Sequence, residues 1–317
     1  QGSPGQPSTG VGTLYLHDLE MLKGLEGIAS HESRVAIPVL ANDQDLKRLR
    51  ATAEPHLAQA PYGLLIAGHG LYAWGQDLAR ARRHLEILEF LLEQHWRQLL
   101  LQSRVRTTEL LVAALARLEQ PPAVLVNGSA VGFYGSSTQT RFSETSPAGG
   151  DFLAEICQRW EAAADQVPAA CRLVKLRIGI VLGGDGGALG KMLPVFRMGF
   201  GGPIGDGQQW MSWISRRDLC RLIATALEDG AYSGVYNAVS PEATTMGLFA
   251  SALGKALGRP SLLPVPGPIL QLLLGDGAQV VLEGQQVLPE RLLAQGFTFQ
   301  YPQLSAALAA ATSPAPH

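Results

Sequence analysis

The chain has 317 residues, 46% apolar and 16% charged, with a mean hydropathy of +0.10. It can bury a sizeable core, and its composition excludes global disorder. A formal net charge of −2 gives no electrostatic case for nucleic acid or an anionic membrane surface.

Residues 1–12 are rich in Gly, Pro, Ser and Gln and read as a disordered leader or surface loop. Leu14–Leu16 is a short strand, and Asp18 is placed to cap a helix running through Met21 and Leu25 to Gly27. Val35–Leu40 reads as a strand, and Asn42 or Asp43 opens a helix towards Ala58. Tyr62 to Trp74 reads as two strands around Gly68-His69-Gly70. From Gln76 to Gln120 there is neither Gly nor Pro. Apolar residues recur there at helical spacing, which predicts two amphipathic helices meeting near Gln94-His95-Trp96.

Beyond that stretch, Ala123–Val126 is a short strand ending in Asn127-Gly128-Ser129, and Phe152–Asp165 a helix. Leu173–Leu182 is an apolar strand, Leu189–Phe200 and Asp218–Leu227 are helices, and Val235–Val239 is a strand. This alternation indicates an α/β parallel sheet. Trp210 and Trp213, with Phe297, Phe299 and Tyr301, are expected in the core. The most apolar stretch, Leu262–Leu274, is broken by Pro264, Pro266 and Pro268, so no membrane span is expected. Cys157, Cys171 and Cys220 lack metal-ligand spacing and cannot all pair, which fits a reduced cytoplasmic protein.

Three constellations could carry chemistry. Gly184-x-x-Gly187-x-x-Gly190 has the layout of a dinucleotide loop between strand and helix. In a chain with 36 glycines such matches arise by chance, and Gly199-x-x-Gly202-x-x-Gly205 is another. Ser129, at the carboxyl end of a parallel strand, could hold a substrate oxygen, or simply belong to a turn that ends the strand. His69 between two glycines could ligate a metal with Glu20 as general base, or be a plain turn histidine. One histidine does not make a zinc site, for which three protein ligands are normal.

Two resemblances divide the chain. The runs Leu19–Leu25, His31-Glu32, Ile37–Asp45, Gly68–Gly75 and Arg83–Phe90 resemble the C-terminal half of bacterial methylthioribulose-1-phosphate dehydratases, in the class II aldolase/adducin family. The resemblance implies zinc-assisted dehydration in methionine salvage. Glu20 would be the acid/base and His69 the third zinc ligand. The other two histidines, an H-x-H pair, would have to precede Gln1.

Residues about 96–314 resemble the C-terminal two-thirds of atypical extended short-chain dehydrogenase/reductases of the nucleoside-diphosphate-sugar epimerase-like family. The resemblance rests on Ser103–Thr108, Ser129–Gly135, Asp151–Glu155, Trp160-Glu161, Leu176–Gly183, Gly205–Ile214 and Leu282–Pro289. It implies a Rossmann fold, NADP(H) and a small-molecule substrate. Ser129 would be catalytic and, with Arg177, Gly179 and Val181, line the nicotinamide side. It also assigns Gly184–Gly190 to a later loop, so that the motif is a decoy. The glycine-rich cofactor loop and first strands have no counterpart here. None of the seven tyrosines is followed four residues on by lysine, the usual reductase pair; near its place stand Leu153 and Cys157. Ser215-Arg216-Arg217-Asp218 stands where relatives carry a histidine and an acidic pair.

The expected fold is therefore α/β, a partial Rossmann-like parallel sheet with a C-terminal substrate-side region, preceded by a partial class II aldolase-like segment. The expected organisation is a leader 1–12, a dehydratase-like segment 13–95 and an epimerase/reductase-like domain 96–314. Three functions follow: an NAD(P)-dependent epimerase or oxidoreductase, a zinc lyase completed by sequence ahead of Gln1, or an inactive fusion. An unpaired sheet edge and self-association are expected of the second part.

Overall fold

A computed structural model of the chain describes residues 11–261, 264 and 284–313. Residues 1–10 of the expected leader, nearly all of Leu262–Leu274, and Leu282 and Glu283 lie outside the described residues. The chain divides into two compact units, one ending at Gln102 and one beginning at Ser103.

The first unit is a four-stranded sheet in the order β1 (Gly12–Leu16), β2 (Val35–Leu40), β3 (Gly63–Ile66), β4 (Gly70–Ala73). β1 and β2 are antiparallel, β2 and β3 parallel, and β3 and β4 antiparallel. The expected helix after Asp18 is a single 3-10 turn, Glu20–Gly24, and Asp18 caps nothing: its φ is 57° and its carboxylate meets His17. The reason is legible afterwards. Leu19, Leu22 and Leu25 are spaced by three, the 3-10 repeat, and all three are buried. The next helix, α1 (Leu46–Leu57), is capped by Asp45, whose side chain accepts from the Lys47 and Arg48 amides. Asp43 instead supports the cap, accepting from the Asp45 amide. Helix α2 (Leu78–Leu101) lays Ile87, Leu88 and Leu91 on the core made by Leu16, Leu22 and Ile37.

Gln94-His95-Trp96 lies inside α2 rather than at a break. The helical path changes at Gln102–Arg106, a π turn, before α3 (Thr107–Leu115). The sequence contains no Gly or Pro there to mark it, because a π turn alters hydrogen-bond spacing without needing a breaker residue.

The second unit contains a three-stranded parallel sheet in the order β11 (Gly234–Ala238), β7 (Arg172–Ile178), β5 (Val124–Ala130). Among the described residues β5 pairs with β7 alone. A short β6 (Arg141–Phe142) runs parallel to β13 (Gln286–Val287). The expected strand Leu173–Leu182 is split at Gly179, where the chain leaves β7 and enters β8 (Ile180–Leu182), which pairs with β10 (Trp213–Ser215). A Cβ on Gly179 would sit 2.5 Å from the Ser212 carbonyl oxygen, so only glycine lets the two strands cross this closely. β9 (Trp210–Met211) pairs with β12 (Thr244–Thr245).

Helices α4 (Phe152–Ala164), α5 (Gly187–Arg197), α6 (Arg216–Glu228), α7 (Met246–Leu257), α8 (Glu290–Ala294) and α9 (Leu304–Thr312) complete this unit. One core packs Leu222, Ala226, Leu292, Phe297 and Phe299 against Val174, Leu176 and Tyr236 of the sheet. A second gathers Trp213, Phe196, Phe249 and Leu253. No helix among the described residues is long and apolar enough to cross a membrane.

Candidate functional site

The parallel sheet aligns three polar residues near the carboxyl ends of its strands. Ser129 of β5 is the register partner of Arg177 of β7, and Arg177 that of Asn237 of β11. Register partners share a face, so the three form one row. All are buried, at 3%, 4% and 0% exposure. From α4, whose N-terminus is capped by the Asp151 side chain, Glu161 reaches this row. Its Oε1 accepts from Ser129 Oγ at 2.7 Å and from Arg177 Nε at 2.8 Å, and its Oε2 accepts from Arg177 Nη2 at 2.9 Å. The 3-10 turn Val131–Tyr134 that follows β5 brings in Tyr134, whose hydroxyl accepts from Arg177 Nη1 at 3.0 Å and donates to Asn237 Oδ1 at 2.6 Å. The Arg177 guanidinium lies 3.3 Å from the centroid of the Phe133 ring. Asn237 Nδ2 then donates to the Leu288 carbonyl, and the Asn237 backbone N–H donates to Glu144 Oε1.

The electrostatics follow from burial and pairing. Burial opposes the Arg177 charge, but Glu161 and Tyr134 outweigh it and hold its pKa above the ordinary value. Burial raises the Tyr134 phenol, with Arg177 pulling the other way. Burial also pushes the Cys157 thiol, on the same α4, up to about 11. Every strong donor of Arg177 described above is spent inside the protein, as is the Ser129 hydroxyl proton. Dense satisfaction of this kind fixes the ends of three strands relative to α4.

The other sequence candidates fall elsewhere. Gly179 serves the strand crossing, and Val181 lies in β8 opposite Ile214. Gly184 abuts the Ala311 carbonyl and Gly187 has φ 63°, so the Gly184–Gly190 loop owes its glycines to packing and turn geometry. In the first unit Glu20 is exposed and ion-paired with Lys23, which lowers its pKa, and lies 3.7 Å from His31. His69 is exposed, with Nε2 3.4 Å from the Tyr72 hydroxyl. Glu20 pairs with Lys23 and His31, and His69 with Tyr72, so the two do not meet, and no group of three His, Cys, Asp or Glu among the described residues could hold a metal. The donors present do not fit a resident zinc ion. In the sequence Glu161 and Tyr134 stand only within the runs that carry the resemblance; no spacing rule links them to Arg177, because the contacts span 16 and 43 residues.

Comparison with known proteins agrees with this division. Residues 14–96 match the family model of the class II aldolase and adducin N-terminal domain, and residues 265–311 match a domain of unknown function, DUF1731. The epimerase family protein SDR39U1 of Bos taurus is 44% identical over 211 residues, covering 66% of this chain and 72% of that protein. The chloroplastic homologue of Arabidopsis thaliana is 48% identical over 210 residues, and there the chain spans only 60% of the relative's length. The crystal structure of human epimerase family protein SDR39U1 (isoform 2) with NADPH aligns with a TM-score of 0.64 at 41% identity, over 68% of this chain and 74% of that one. The chain belongs to the SDR39U1-type epimerase family through its C-terminal two-thirds, and carries a class II aldolase-type segment ahead of it.

Proposed function

We propose that residues 96–314 act as an NAD(P)-dependent epimerase- or oxidoreductase-like domain of the extended short-chain dehydrogenase/reductase type, and that its glycine-rich cofactor loop is absent from the sequence Gln1–His317. The observation that carries the reading is the 41% identity to a human relative whose structure was determined with NADPH. On this reading the nicotinamide side is formed at the carboxyl ends of β5 and β7, as ligands in open parallel sheets lie beyond those ends. Bound NADP(H) would supply the hydride. The chain's own part is to hold the strand ends rigid: Glu161 fixes both Ser129 and Arg177. Catalysis by Ser129, and cofactor contact by Ser129, Arg177, Gly179 and Val181, belong to the same reading. The small-molecule substrate would approach from the C-terminal region.

Without a glycine loop no backbone amides and helix dipole converge on the pyrophosphate. NADP(H) binding by this chain is therefore weak. Calorimetry with NADPH tests it: affinity weaker than about micromolar is expected, and tight stoichiometric binding would show that another segment supplies the phosphate site. We further propose that residues 13–95 are a dehydratase-like remnant, and that the edge of β5, which among the described residues pairs with β7 alone, favours self-association. The lyase reading has support from the family match of residues 14–96. Against it stands the lone expected zinc ligand, His69.

A further inference from the structure

Resting on the NAD(P) reading above, we propose that the outer edge of β5 and the exposed flank of α3 form a docking surface for a segment of another chain: the strand, glycine-rich loop and helix at the amino-terminal end of an epimerase-family protein. The parallel strands β5, β7 and β11 lie side by side in chain order. In doubly wound sheets the earlier strands continue beyond the first strand of such a series, and the ligand crevice opens where the order reverses. That place here is the edge of β5, the strand that carries Ser129. The Arg172 amide donates to the Ala123 carbonyl at 2.9 Å, so Ala123 turns its peptide towards β7. Peptide groups alternate sides along a strand. Those of Val124 and Val126 therefore turn outward, where β5 has no ladder partner among the described residues.

α3 meets the same strand through α4. Trp160 of α4 donates to Thr108 of α3 at 2.9 Å, and its ring would lie 3.5 Å from a Cβ on Gly128 of β5. From Leu110 to Leu115 α3 is apolar at every position, yet within that run only Val112 is buried, and Leu110 and Leu111 are 56% and 44% exposed. A helix stretch that is apolar on every side belongs inside a protein. The length of the relatives indicates what covers it. The matched residues make up 72% of the bovine chain and 74% of the human one, and they belong to the C-terminal part of those chains. The amino-terminal remainder is about a quarter of each, and it is the part in which the cofactor loop is expected. Adding its strand to β5 would use the outward peptide groups and lay apolar side chains on α3. It would also bring loop amides and a helix N-terminus over the carboxyl end of β5. A second copy of this chain meets only the first of these needs, since β5 against β5 brings no loop. The self-association proposed above is then what the edge does when the segment is absent.

The test is co-expression of the full chain with a tagged amino-terminal segment of the human relative, the part that this chain does not match. A one-to-one complex is expected on size exclusion, in place of any self-associated form of the chain. Its NADPH affinity should exceed that of the chain alone by about tenfold or more. Leu110→Lys combined with Leu111→Lys alters two exposed side chains and should weaken the complex about tenfold or more. Val126→Pro removes an outward N–H without breaking a bond to β7 and should abolish the complex. Circular dichroism checks that each variant is folded. A complex that forms but gains no NADPH affinity would support the docking surface and sink the NAD(P) reading. No complex, a complex indifferent to the leucine changes in a folded chain, or a self-associated form that the segment does not disperse would overturn the proposal.

Discussion

Ser129 and Arg177 face each other as register partners on β5 and β7, and both end on one carboxylate, Glu161, at 2.7 Å and at 2.8 and 2.9 Å. The Arg177–Glu161 ion pair is buried, so its worth depends on completeness. Two desolvated charges roughly offset their attraction, whereas one left alone has nothing to balance its lost hydration.

Arg177→Met should therefore destabilise the second unit by about 3 kcal/mol, because it leaves Glu161 charged and buried with only Lys175, 3.9 Å away, to balance it. Arg177→Met combined with Glu161→Leu should recover most of that loss. Urea unfolding of the three chains reads the difference, and a double variant as unstable as the single one would show that the network matters beyond its charge balance.

How much of this was legible in sequence varies with the range of the interaction. Local signals carried far: the strand at Val35–Leu40, the helix from Phe152 and the alternation of strands and helices are short-range patterns, and the structure contains them. The segment after Asp18 forms a 3-10 turn and not a helix because three leucines three apart satisfy that turn, and Leu173–Leu182 looks like one strand in sequence because Gly179 has a purpose only once Ser212 is beside it. The row Ser129–Arg177–Asn237 is invisible to any periodicity rule. It exists because three strands far apart in the chain share a register. Resemblance points to Ser129 and Arg177, but nothing in the sequence points to Glu161 as the group that joins them.

Cysteine reactivity should separate by burial. Cys220 is exposed, while Cys157 and Cys171 are buried and burial raises the pKa of both. Iodoacetamide at pH 8 should label Cys220 in the folded chain and the other two only on unfolding, since the thiolate is the nucleophile. Mass spectrometry of the labelled peptides checks this, and early labelling of Cys157 would contradict its packing.

The same thiol makes stability depend on alkaline pH. Cys157 titrates at about 11 in the fold against 9.0 for the free group. The unfolded chain thus loses this proton first as pH rises. The contribution is fully present below about pH 9 and is lost between about 9 and 11, amounting to about 3 kcal/mol. Urea midpoints across that window should fall more steeply for the parent chain than for Cys157→Ala, and equal slopes would assign the decline to other groups.

Zinc should not bind tightly. His69 is the sole residue that the dehydratase resemblance offers as a ligand, and one ligand leaves the ion mostly hydrated. Stoichiometric zinc on the purified chain, lost in His69→Ala, would refute this and revive the lyase reading.

Asp218 gives the sharpest stability prediction, because its carboxylate is wholly buried and joins two distant parts of the chain. Oδ1 accepts from the Gln300 amide at 2.6 Å, and Oδ2 accepts from the Tyr301 amide at 2.9 Å and from Ser215 Oγ at 2.8 Å. Ser215 in return caps α6, accepting from the Asp218 amide at 3.0 Å. The acid thus ties the start of α6 to the segment ahead of α9. Asp218→Ala leaves two backbone N–H groups without acceptors and should cost about 3 kcal/mol or more. Asp218→Asn keeps one acceptor but turns an NH2 towards an N–H donor, so it should cost about 1–3 kcal/mol. Ser215→Ala removes the cap and should cost about 1 kcal/mol. Urea unfolding of the three variants should rank them in that order, Ala at 218 worst. A neutral Asp218→Asn would mean that the two amides find other acceptors, and that Asp218 is not the clamp between α6 and the C-terminal segment.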